Sequence, residues 1–120
     1  MSLPHRWHDA VVDDLRRVHN QFEDEAFAQA RQLITSLPNE PLLGTWLTEQ
    51  AGTGDLSTCR KVKLGLDEIT PDGDNLGPSL RLVYRLLPSN TDVHQVEVLC
   101  TGPRRELIAY AVAAARLQED

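Results

Sequence analysis

The sequence has only two cysteines, no long apolar run and no excess of positive charge, and each of these absences excludes a class of protein. Cys59 and Cys100 lie far apart, without Cys-x-x-Cys spacing, so neither a disulfide framework nor a metal site is expected. No apolar run approaches the roughly 18 residues of a membrane span, and no secretion signal opens the chain. We therefore expect a cytoplasmic protein with reduced thiols and no membrane contact.

The net charge of −6 argues against a general nucleic-acid coat, because phosphate binding requires positive charge. The charge is uneven. Residues 1–59 hold four basic and nine acidic residues, whereas residues 60–120 hold eight and nine. The positions of the basic residues in the second half are therefore more informative about function than the net charge. The length of 120 residues predicts a single domain spanning residues 1–120.

Two helices are predicted in the first third of the chain, forming a hairpin over about residues 8–37. Val11, Leu15 and Val18 share one helical face, and Pro38 ends the second helix. Trp7 and Trp46 are expected to pack in the core or against the helices.

Three alternating runs, "RKVKLGL", "LRLVYRLL" and "VHQVEVLC", predict antiparallel strands over about residues 59–101. Residues 65–79 are predicted to form a long loop. Gly102 and Pro103 are predicted to open a last helix, over about residues 103–117. The expected fold is α+β: a small antiparallel sheet covered on one face by the helical hairpin and the C-terminal helix.

Strand alternation places cations together in this fold. Lys61 and Lys63 project from one face of their strand, as do Arg81 and Arg85 from theirs. A symmetric hairpin register puts Lys63 near Arg81. Like charges opposite each other destabilise a sheet. The arrangement therefore indicates an anion-binding surface rather than a contribution to stability.

Four segments in order, "CRKVKL", "LRLVYRLL", "VEVLCTGPRRELIAY" and "AAARL", resemble the RelE branch of the RelE/ParE toxin superfamily over about residues 56–118. The resemblance implies a toxin of a type II toxin–antitoxin system that cleaves messenger RNA on the ribosome. Its partners are a cognate antitoxin, the ribosome and mRNA. The ribose 2′-hydroxyl attacks the adjacent phosphate, with neither metal nor cofactor.

The resemblance also implies roles for individual residues. Lys61 and Arg81 hold the phosphate and stabilise its developing charge, and Lys63 acts as base or lowers a neighbour's pKa. Arg104 faces the leaving group, and Tyr110 acts as base or stacks on a nucleobase. Three further arginines are predicted to contact RNA: Arg60, Arg85 and Arg105.

Other interpretations remain open. The lysines also fit solvated strand charges, Arg85 fits a partner for Glu97, and Tyr110 fits the core stripe of the last helix. The acidic segment 65–79 would repel RNA beside the site, or could contact a basic partner. The alternative functions are a ParE-like inhibitor of DNA gyrase and a degenerate RelE-fold module that binds without cleaving. A homodimer and a hetero-oligomer with the antitoxin are both left open.

Overall fold

A computed structural model describes residues 3–21, 24–47, 56, 58–89, 91–103 and 108–118. A short strand, two helices and a second short strand precede a three-strand meander and a last helix. The elements are β1 (His5–Trp7), α1 (Val11–Gln21), α2 (Asp24–Ser36), β2 (Thr45–Trp46), β3 (Cys59–Ile69), β4 (Asn75–Pro88), β5 (Val93–Pro103) and α3 (Ile108–Gln118). The strands form one sheet in the order β1-β5-β4-β3-β2, in which β1 is parallel to β5 and the other pairs are antiparallel. The predicted α+β class is confirmed.

The helices cover both faces of the sheet, so the expectation that they cover one face is wrong. Leu80, Leu82 and Tyr84 of β4 pack into one core cluster with residues of α1 and α2. Val83, which points the opposite way, packs into a second cluster with Ala109 and other residues of α3. β4 is buried at six successive positions, residues 79–84, so the strand requires cover on both sides.

The two outer strands were not predicted. β1 pairs His5 with Val96, and β2 pairs Thr45 with Lys61. Both strands are short and exposed, so pairing with a longer neighbour defines them rather than any pattern of their own. Trp7 and Trp46 lie in these strands and are 44% and 56% exposed, so neither is a core residue. Trp7 lies beside residues of α1 and α2, in agreement with the alternative that it packs against the helices.

The segment predicted as a long loop at residues 65–79 is mostly a β-hairpin extension. β3 continues to Ile69 and β4 begins at Asn75, with positive φ angles at Gly65 and Gly77 where the register shifts. Glycine tolerates the backbone conformation of such bulges. The same glycines are typical of loops, which is why the sequence pattern predicted a loop here. We call this extension, residues 65–79, the β3–β4 arm.

The boundary before the last helix also differs from the prediction. Pro103 pairs with Leu80 as the end of β5 and does not open a helix. The described part of α3 begins at Ile108.

A buried ion pair holds α1 and α3 against β5, beyond the point where β1 ends. The Asp14 carboxylate accepts hydrogen bonds from the Thr101 backbone N–H at 3.0 Å and from Arg116 Nη1 at 2.5 Å. Arg116 Nη1 also donates to the Leu99 carbonyl at 2.7 Å, and Arg17 pairs with Asp14 from the solvent side. The two side chains thus satisfy strand-edge groups that β1 does not reach.

Candidate functional site

The pairing of β3 with β4 brings the predicted cations together. Lys63 lies opposite Arg81, and Lys61 lies opposite Val83, so the predicted cross-strand register is confirmed. Lys61 is half-buried and Lys63 is exposed. Among the described residues no carboxylate lies within ion-pair distance of Lys61, Lys63 or Arg81. We call these three residues the cationic face.

Arg81 is the buried member of the cationic face, with 6% of its surface exposed. Its Nη1 donates to the carbonyl of Pro78 at 2.8 Å and to that of Leu80 at 2.9 Å. Its Nε is buried and has no hydrogen-bond partner within the described ranges. A buried guanidinium held only by carbonyls carries a desolvation cost that an anion would offset.

Tyr110 of α3 lies on the same side of the sheet as the cationic face. The Lys61 ammonium lies 5.9 Å from the centroid of its ring, a distance typical of a cation–π contact. Tyr110 is 5% exposed and belongs to the cluster that includes Val83 and Cys100. Tyr110 is therefore buried in the core, as the helix stripe alone indicates.

Arg85 lies on the α3 side of β4 but is paired. Its Nε lies 2.5 Å from Oε1 of Glu97, and Nε of Arg6 lies 2.6 Å from Oε2 of the same buried carboxylate. The pairing with Glu97 is the alternative that the sequence left open. It reduces the positive charge that Arg85 could offer to RNA.

Arg60 projects from the opposite face of β3, because it alternates with Lys61. Its Nη1 donates to the Gly44 carbonyl at 2.8 Å, and its guanidinium lies over the Trp46 ring at 5.4 Å. Arg60 therefore does not join the cationic face. Two other predicted site residues, Arg104 and Arg105, lie outside the described residues.

Tyr84 of β4 anchors the segment that leads into β2, a role that its position in the sequence did not reveal. Its hydroxyl accepts from the Gly44 N–H at 2.8 Å and donates to the Pro41 carbonyl at 2.7 Å. These bonds anchor the segment leading to Thr45, which pairs with Lys61. Burial raises the pKa of Tyr84, and its hydrogen bond from Gly44 and the nearby Arg60 partly oppose the shift.

In the part of the chain that the structure describes, no group of three or more His, Cys, Asp or Glu side chains could hold a metal ion. The described helices include none with the length and apolarity needed to cross a membrane. Cys100 is sealed between β5 and α3, where burial raises the pKa of its thiol to about 12 and the nearby Asp14 adds to the shift.

Comparison with known proteins gives a fold. No protein-family profile and no curated protein matches the sequence. A solved structure of E. coli toxin RelE, a double arginine-to-alanine mutant in the free state, superposes with a TM-score of 0.56. The alignment covers 98% of this chain and 99% of that chain at 16% sequence identity. The chain has a RelE-like fold. At this identity the similarity extends to the RelE-like architecture and not to a particular branch of the toxins.

Proposed function

We propose that the protein is the toxin of a toxin–antitoxin pair and cleaves messenger RNA on the ribosome, as RelE-branch toxins do. The observation that carries the proposal is the cationic face. Lys61, Lys63 and Arg81 meet on one side of the sheet without a carboxylate among the described residues to neutralise them. Juxtaposed like charges destabilise a sheet, so an anionic ligand accounts for their arrangement better than stability does.

The cleavage that fits these residues is a transesterification. The ribose 2′-oxygen bonds to phosphorus, the bond from phosphorus to the 5′-oxygen breaks, and the products are a 2′,3′-cyclic phosphate and a 5′-hydroxyl. One proton leaves the 2′-hydroxyl and another reaches the 5′-oxygen. Arg81 and Lys61 stabilise the negative charge of the pentavalent phosphate. Lys63 borders the same phosphate, as the base for the first proton or as a cation that assists the base, and the role at the departing oxygen is the one that the resemblance gives to Arg104.

Expression in a bacterial host tests the proposal. The wild-type chain should arrest growth and leave messenger fragments with 5′-hydroxyl ends, and Arg81→Ala should do neither. Arg16→Ala is the matched control, because Arg16 pairs only with the exposed Asp13 among the described residues, on α1. Unaffected growth and intact messengers with the wild-type chain, indistinguishable from Arg81→Ala, would contradict the proposal.

A second candidate is a RelE-fold module that binds a partner without cutting RNA. Two observations favour it: the Tyr110 ring is buried, and Arg85 is engaged by Glu97. This candidate predicts stable binding of a protein partner with no cleavage even when ribosomes are present. A supercoiling assay with purified gyrase separates both candidates from a ParE-like inhibitor, which would block supercoiling without requiring the cationic face.

A further inference from the structure

Two polar atoms on one face of β4 are buried without a hydrogen-bond partner in the described part of the chain. One is Arg81 Nε and the other is Ser79 Oγ. The two residues are two positions apart in a strand, so their side chains project from the same face. A buried polar atom without a partner costs about 1–3 kcal/mol, and an isolated pair of such atoms calls for a physical explanation.

The resting position of the guanidinium places it beside Ser79. Arg81 Nη1 is bonded to the carbonyls of Pro78 and Leu80, the residues on either side of Ser79. The guanidinium therefore folds back along its own strand and over the serine. An arginine Nε can only donate a hydrogen bond, and a serine hydroxyl can donate one as well. An acceptor oxygen would satisfy both atoms at once.

The opposite strand leaves space for the serine hydroxyl. Gly65 on β3 has a φ of 86°, and a Cβ built at this position would lie 2.8 Å from Ser79 Oγ. A side chain at residue 65 would therefore press on the hydroxyl. Lys63 lies two residues before Gly65 and opposite Arg81, so the exposed ammonium borders the same place.

We propose that Ser79 is an anion-contacting residue whose hydroxyl donates to the same phosphate oxygen as Arg81 Nε. Both atoms are covered in the resting structure, so the oxygen reaches them when the guanidinium turns away from the Pro78 and Leu80 carbonyls. The inference rests on the proposed function for the identity of the phosphate, which is the scissile group of RNA. Its first test uses inorganic phosphate, so it does not require cleavage.

The test measures phosphate binding and stability in the same variants. Ser79→Ala should raise the Kd for inorganic phosphate about ten- to hundredfold, the loss expected for one hydrogen bond to a charged group. It should leave the urea midpoint unchanged or raised, because it removes a buried hydroxyl without a partner. Ser36→Ala is the control, since Ser36 Oγ bonds to the Gln32 carbonyl on α2. Unchanged phosphate affinity in Ser79→Ala overturns the proposal.

A spectroscopic signal separates ligand contact from a structural role. In ¹⁵N-detected NMR spectra, assigned with Arg81→Lys, phosphate should shift the Arg81 Nε–H signal and slow its exchange with solvent. Ser79→Ala should reduce the phosphate-induced protection. If the signal does not respond to phosphate in the wild-type chain, the Ser79 proposal fails even if the protein cleaves RNA. If it responds as expected in a protein that cleaves no RNA, the anion site stands and the proposed function fails.

Discussion

The ion pair between Asp14 and Arg116 should be worth more to this fold than any other polar contact between the described side chains. Asp14 is 2% exposed, and its two oxygens accept from Arg116, Arg17 and the Thr101 N–H. Asp14→Ala removes the carboxylate to which the Arg116 guanidinium and the Thr101 amide donate. Breaking a buried pair from one side costs about 3–5 kcal/mol. For a domain with a total stability of roughly 5–15 kcal/mol, this is a large fraction.

The assay is urea unfolding at neutral pH, followed by circular dichroism. Asp14→Ala should lower the midpoint without changing the slope, which depends on the surface exposed by unfolding. Arg116→Met should cost less than Asp14→Ala, because Asp14 keeps Arg17 and the Thr101 N–H. The double variant Asp14→Leu with Arg116→Met should recover part of the loss, since well-packed apolar residues can replace a buried pair.

The neighbouring pair on α1 is a matched control. Asp13 and Arg16 are both exposed, 3.3 Å apart, and have the same spacing in sequence as Asp14 and Arg17. Asp13→Ala should cost no more than about 1 kcal/mol, as exposed pairs do. Equal losses for Asp13→Ala and Asp14→Ala would refute the claim that burial and the strand-edge bonds make the Asp14 pair important.

Three further predictions concern single positions. Burial raises the pKa of Tyr84 above its ordinary value of 10.0, so its contribution to the free energy of unfolding is complete below pH 10 and is lost as pH rises towards the folded-state pKa. Tyr84→Phe should flatten this alkaline loss of stability in unfolding experiments, and an unchanged dependence of stability on pH would contradict the prediction. The Cys100 thiol, whose pKa is about 12, should react with a disulfide reagent at pH 8 only as fast as the protein opens, so a rate independent of urea would argue against its burial. Gly65→Ala should lower the unfolding midpoint more than Gly73→Ala, because both have positive φ but only Gly65 has a neighbouring atom within 4 Å of the added Cβ.

The three central strands were predictable because their patterns are local. Lys61 and Lys63 alternate with apolar residues on β3, and this alternation also gave the correct register with Arg81. A strand whose side chains alternate can be paired with its neighbour from the sequence alone when the connecting hairpin is symmetric. The cationic face followed from that register.

The misses have a common cause, which is that the deciding contact is remote in sequence. β1 exists because His5–Trp7 pairs with β5, which is far along the chain. The Asp14 contact with Arg116 is likewise remote, and the sequence alone favours the local interpretation of Asp14 as a complement to the helix dipole. The cover on the second face of β4 is also decided by a remote contact, since Val83 packs in one cluster with Ala109 of α3.

The acidic net charge is compatible with a phosphate site because the charges are separated in space. The exposed acids of α1 and α2, such as Asp13 and Asp24, belong to helices on the face of the sheet opposite the cationic face. A sheet and its packed layer are about 10 Å thick, and the Debye length at physiological ionic strength is about 8 Å. The nearest acidic residue of the β3–β4 arm, Asp67, lies four residues along β3 from Lys63, which is roughly 13 Å at about 3.3 Å per residue and beyond the Debye length. The local field at Lys63 therefore depends mainly on the neighbouring cations. The net charge of −6 weakens long-range attraction to RNA more than it weakens contact with a phosphate at the cationic face.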